Sequence, residues 1–65
     1  MTKQYSVREF KILLRSNGYD YIRSSGDHDI YSNGKLKISI PVASKEVNKM
    51  LARRLIKENK LTERR

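Results

Sequence analysis

Between residues 28 and 41 the sequence leaves room for little besides an antiparallel hairpin. Lys35-Leu36-Lys37-Ile38-Ser39-Ile40 alternates polar and apolar side chains without a break, the period of a strand with one buried face. Just before it, Asn33-Gly34 suits the positive φ that both positions of a two-residue hairpin turn demand. Pro41 has no amide proton for a central ladder and closes the run. His28-Asp29-Ile30-Tyr31-Ser32 forms the other arm, and Tyr19-Asp20-Tyr21-Ile22-Arg23-Ser24 reads as an earlier strand that turns through Ser25-Gly26-Asp27. A two-residue turn pairs Ser32 with Lys35, Tyr31 with Leu36, Ile30 with Lys37 and His28 with Ser39. Directly opposite residues share a face. Leu36, Ile38 and Ile40 then point inward beside Tyr31, and His28 shares the outer face with Lys35, Lys37 and Ser39. Ile30 is exposed in this register, and a bulge would swap the assignment.

A sheet with one apolar face needs a cover, and the flanking segments supply it. Ser6-Val7-Arg8-Glu9 is a capping box. Val7, Phe10, Leu13 and Leu14 fall on one helical face, with Ile12 off it, and Asn17-Gly18 ends a helix spanning about residues 6–16. Beyond Pro41, Ser44 and Asn48 each suit an N-cap. The stripe Leu51, Ala52, Leu55 and Ile56 favours Asn48, leaving Val47 and Met50 outside it. That helix runs to about Asn59, with Leu61 packing back and Thr62-Glu63-Arg64-Arg65 frayed. The expectation is one α+β domain over residues 1–65 in the order α-β-β-β-α. Both helices lie on one face of a three-stranded antiparallel sheet, and the other face is left for a ligand.

A chain of 65 residues buries only about 60% of its unfolded surface. Having no cysteine, it lacks disulfides, a thiolate nucleophile and cysteine-based zinc sites, so it stands on its apolar core or on a partner. Its net charge of +8 favours a polyanion: nucleic acid first, an acidic protein second and a membrane surface third. No apolar run approaches the roughly 20 residues that span a bilayer. Met1-Thr2-Lys3-Gln4-Tyr5 lacks the apolar stretch of a signal peptide, so the expected compartment is the cytoplasm.

His28 is the single histidine, so any imidazole chemistry falls on it. Imidazole exchanges protons near neutral pH, which suits general acid–base work, and the 2′-hydroxyl of RNA is a built-in nucleophile for such a base to activate. A plain surface histidine is the competing reading. Asp27-His28-Asp29 invites a metal, but strand alternation sends the carboxylates to one face and the imidazole to the other, so no metal site is expected. Lys49, Arg53, Lys57 and Lys60 form a stripe on the last helix with Arg54 beside it and no acid within it, which suits phosphate as well as a solvated face. Tyr19 and Tyr21 are candidates either for stacking on bases or for packing against helices. Met50 and Phe10 read as packing residues. No Gly-rich phosphate loop, Ser-His-Asp set or zinc spacing occurs.

Taken in order, Gly18-Tyr19, Arg23, Gly26-Asp27-His28-Asp29-Ile30-Tyr31, Ile40-Pro41 and Arg53-Arg54-Leu55-Ile56-Lys57-Glu58-Asn59-Lys60-Leu61 resemble the HicA toxins of bacterial and phage toxin–antitoxin systems. The resemblance implies a double-stranded-RNA-binding-like fold, ribonuclease action on mRNA with His28 as the essential histidine, and a HicB antitoxin that covers the active surface. Two positions depart from the family pattern: Asp27 stands where Ser is usual, and Met50-Leu51 where a small Gly-Thr pair is usual. The leading expectation is a metal-independent endoribonuclease toxin without a cofactor. His28 is its acid–base group, and Arg23, Lys35 and Lys37 hold the scissile phosphate. Lys49, Arg53 and Lys57 contact RNA, and a HicB-like antitoxin is the protein partner. The alternative expectations are a non-catalytic RNA-binding module on the same fold and a degenerate toxin kept for protein binding.

Overall fold

Ser6 caps the first helix as its sequence predicts, accepting from the Glu9 amide at 3.0 Å while the Glu9 carboxylate accepts from the Ser6 amide at 3.1 Å. In the computed structural model, which describes residues 4–63, α1 (Val7–Ser16) is followed by β1 (Asp20–Ser25), β2 (His28–Ser32), β3 (Lys37–Pro41) and α2 (Lys49–Asn59). The strands form an antiparallel sheet in the order β1-β2-β3. The expected α-β-β-β-α architecture is therefore present. One apolar cluster joins Phe10, Leu13 and Leu14 of α1, Tyr31, Ile38 and Ile40 of the sheet, and Ala52 of α2. Both helices thus cover the same sheet face, and Leu51, Leu55 and Ile56 pack at its margin.

The hairpin register differs from expectation by two residues. Ser32 pairs with Lys37, Tyr31 with Ile38, Ile30 with Ser39 and His28 with Pro41, so the connection is Asn33-Gly34-Lys35-Leu36 rather than Asn33-Gly34 alone. The Asn33 side chain explains the change. Its Oδ1 accepts from the amides of Lys35 at 2.9 Å and Leu36 at 2.7 Å, building a longer turn around an Asx motif. Gly34 takes the left-handed conformation (φ +95°), whereas Asn33 does not. Leu36, expected inside, is 50% exposed at the turn. Because the side-chain period is two, a two-residue shift preserves every face. Ile38, Ile40 and Tyr31 still point into the core, and Lys37 and Ser39 still point out.

Two further expectations are corrected, for Met50 and for the tail. Val47 falls outside the helical stripe as expected, since α2 begins after Asn48, and it is fully buried among the residues before that cap. They run beside the segment preceding α1, with the Val47 amide donating to the Tyr5 carbonyl and the Val7 amide to the Lys45 carbonyl, each at 2.9 Å. Met50, expected to pack, is 77% exposed. Thr62 and Glu63 are tied down rather than frayed, while Arg64 and Arg65 lie outside the described residues. Asn17 exchanges hydrogen bonds with the Thr62 backbone at 2.8 and 3.1 Å, and the Tyr5 hydroxyl donates to the Glu63 carboxylate. Burial together with that carboxylate holds the Tyr5 phenol well above its ordinary pKa. Leu61 packs back into the core as expected.

Candidate nucleic-acid interface

Alternation along β2 buries Asp29 and Tyr31 toward the helices and turns His28, Ile30 and Ser32 to the opposite face. His28 opens the strand, pairs with Ser25 across a tight turn and with Pro41 on the other side, and is exposed. Gly26 supplies the positive φ (+59°) of that turn, and the Asp27 carbonyl accepts the Val42 amide at 2.8 Å, extending the ladder past the strand end. Arg23 pairs with Ile30, so it is a diagonal neighbour of His28 on the same face, at about 7–8 Å between backbones and within reach of a long side chain.

The lysines expected beside the imidazole lie elsewhere. Lys37 pairs with Ser32 at the far end of β2, four residues from His28, a separation of about 13 Å at strand rise. Lys35 sits beyond it in the turn and is exposed. The outer face therefore brings together His28, Ser25 and Arg23 at one end, with Ile30 and Ser39 between them and Lys37 at the other. Tyr19, a candidate for base stacking, is only 2% exposed and belongs to the core. Tyr21 is exposed, but it lies on the helix side of β1, edge-on to Tyr31 at 5.8 Å between ring centroids.

Directly behind His28, Asp29 is buried and fully engaged. One carboxylate oxygen accepts from Lys11 of α1 at 2.9 Å and the other from the Ser24 hydroxyl of β1 at 2.7 Å. Ser24 is also hydrogen-bonded to the Tyr21 hydroxyl at 2.8 Å. The bonds from Lys11 and Ser24 hold the Asp29 carboxyl below the usual carboxylate range, and the bond to Asp29 raises the Lys11 ammonium above its own. Among the described residues, no three His, Asp or Glu side chains converge as metal ligands. Sequence reasoning missed this clamp. Its signal was an acid at an inward position of a strand, a burial that requires a hydrogen-bonded partner.

The α2 cations occupy the other layer. Lys49, Arg53, Arg54, Lys57 and Lys60 are exposed on the side of α2 that faces away from the sheet, and His28 lies across the sheet from them. Asn48 caps the helix, accepting from the amides of Met50 at 2.9 Å and Leu51 at 3.2 Å. A shallow groove of about 530 Å³ is lined by Asn48, Met50, Leu51, Arg53, Arg54 and Lys57.

Against this geometry stands one comparison that decides the family. Residues 7–61 match the family model described as the HicA toxin of bacterial toxin-antitoxin systems. The chain belongs to the HicA toxin family. No curated protein and no solved structure matches it. The matched span takes in both helices, all three strands and His28. As a HicA toxin the chain is the toxin of a toxin–antitoxin pair and has an antitoxin counterpart. Among its described residues, no helix of this HicA toxin is long and apolar enough to cross a membrane.

Proposed function

We propose that this toxin is a metal-independent endoribonuclease acting on mRNA in the cytoplasm, with His28 as its acid–base group, and that a HicB-like antitoxin neutralises it. The observation that supports this reading is the exposure of the single histidine on the sheet face that neither helix covers. A polynucleotide lying on that face presents a 2′-hydroxyl to the imidazole. His28 takes the hydroxyl proton, the 2′-oxygen attacks phosphorus, and the 5′-oxygen departs with a proton returned from the imidazolium. The products are a 2′,3′-cyclic phosphate and a 5′-hydroxyl. Arg23, within side-chain reach, is the cation for the scissile phosphate. Lys37 and Lys35 lie far enough along the strand direction to meet a neighbouring phosphate instead. Lys49, Arg53 and Lys57 would meet only RNA that extends around to the helix layer.

The test is RNA cleavage in EDTA by the wild-type toxin and by His28→Ala. Loss of a positioned acid–base group costs about 10²–10⁴-fold in rate. Undiminished cleavage by His28→Ala, or products ending uniformly in 3′-hydroxyls, would overturn the proposal. RNA that is bound but left intact by the wild type would instead favour a non-catalytic RNA-binding module.

A further inference from the structure

The groove on α2 is built unlike a phosphate track. Part of its lining is apolar: Met50 is 77% exposed and Leu51, next to it in sequence, is half-buried. Arg53, Arg54 and Lys57 surround them, and none of the three forms an ion pair among the described residues. A polynucleotide gains from cations and from flat aromatic surfaces on which bases stack, and no aromatic side chain lines this groove. An exposed methionine gives RNA neither a charge nor a flat ring to stack on. It is a pliable apolar contact of the kind found at protein-binding surfaces, and arginine is the cation enriched there.

We infer that the α2 groove docks an acidic protein segment whose single apolar side chain seats on Met50 and Leu51 while its carboxylates pair with Arg53, Arg54 and Lys57. Charge complementarity selects the occupant, because the chain carries a net charge of +8 and the groove contributes to it three cations that are unpaired among the described residues. Membership of a toxin–antitoxin family provides a protein to supply such a segment, and the inference rests on that membership rather than on the nuclease reading. A segment seated there lies on the opposite layer from His28, so docking and any blocking of the imidazole are separable events. The three cations would then serve recognition of the partner, not of RNA.

The experiment measures anisotropy of a labelled amphipathic helical peptide bearing glutamates around one leucine anchor, added to the intact toxin. Poly-glutamate of equal length and a single-stranded RNA of matched charge serve as competitors. Met50→Lys is the decisive variant, because it adds a cation while removing the apolar seat, at an exposed position where the fold tolerates change. The inference expects Met50→Lys to weaken the peptide about tenfold or more and Arg54→Glu to weaken it similarly. Poly-glutamate should compete at least tenfold less well than the peptide. Unchanged or tighter peptide binding to Met50→Lys, or poly-glutamate competing as well as the peptide, overturns the apolar seat. Competitive displacement of the peptide by the RNA, with Met50→Lys tightening RNA, assigns the groove to nucleic acid and also overturns it. RNA cleavage by the wild type is scored separately, so a failed nuclease reading leaves these outcomes legible.

Discussion

The two exposed faces of this toxin divide its chemistry unequally. The outer face of the sheet carries the one side chain suited to proton transfer, fixed on a strand, with few cations nearby. The solvent side of α2 carries a dense set of cations around an exposed methionine and no group that exchanges protons near neutral pH. A surface meant only to attract RNA would place its charge around its reactive group. Here charge and imidazole occupy opposite layers, which is the arrangement expected if one face acts and the other is recognised.

The strongest way to break this division is to remove the imidazole. His28→Ala should lower cleavage by about 10²–10⁴-fold while leaving the acidic peptide's affinity for α2 unchanged. If one substitution weakened both, the faces would not be separate sites.

How much of this division was legible beforehand depended on which residues carried local signals. The capping box at Ser6, the apolar stripes and Asn48 are local patterns, each present as read, and the alternation of β3 holds from Lys37 to Ile40 while Leu36 leaves it for the turn. The face of His28 was legible too, since alternation is local. What escaped was anything set by a side chain bonding to distant or turn backbone. Asn33 lengthened its turn by accepting two amides, moving Lys35 and Lys37 away from His28. Val47 lies outside the helical stripe as read, but its burial comes from its amide's bond to the distant Tyr5 carbonyl and was not legible. The Lys11–Asp29 contact joins residues of different elements, and no periodicity reports it.

The position of the lysines on the outer face of the sheet rests on the hairpin register, which a stability comparison sharpens. Ile38→Ala empties a fully enclosed site and should cost about 2–5 kcal/mol. Leu36→Ala, at the exposed turn, should cost about 0.5 kcal/mol or less. Urea unfolding midpoints read both directly. Equal losses would restore the shorter turn and bring Lys35 and Lys37 back toward the imidazole.

A smaller effect is expected where the tail closes the helix layer. Asn17→Ala removes both hydrogen bonds to the Thr62 backbone and should cost about 1–2 kcal/mol. The Thr62 amide, which donates to Asn17, should exchange faster with solvent, and cleavage by the folded protein should be unaffected. An unaltered exchange rate would show that Leu61 burial and the Tyr5–Glu63 hydrogen bond hold the tail without Asn17.

The least costly change asks whether the layers are coupled through Lys11 and Asp29. The Lys11 side chain is 34% exposed, so solvent screens the pair and Lys11→Met should cost about 1 kcal/mol or less. The pH dependence identifies the source of that cost. The Lys11 and Ser24 bonds depress the Asp29 carboxyl, so its contribution is present above the unfolded value near 3.9 and is lost as pH falls through the lower folded value. The Lys11 ammonium is raised by the same contact, so its contribution is present below the unfolded value near 10.4 and is lost as pH rises through the folded one. The stability difference between wild type and Lys11→Met should therefore be flat from about pH 5 to pH 9. It should shrink as Asp29 is protonated in acid. A difference that persists undiminished at pH 2 would mean that the lysine stem carries the effect and that the charge pair does not tie α1 to the sheet.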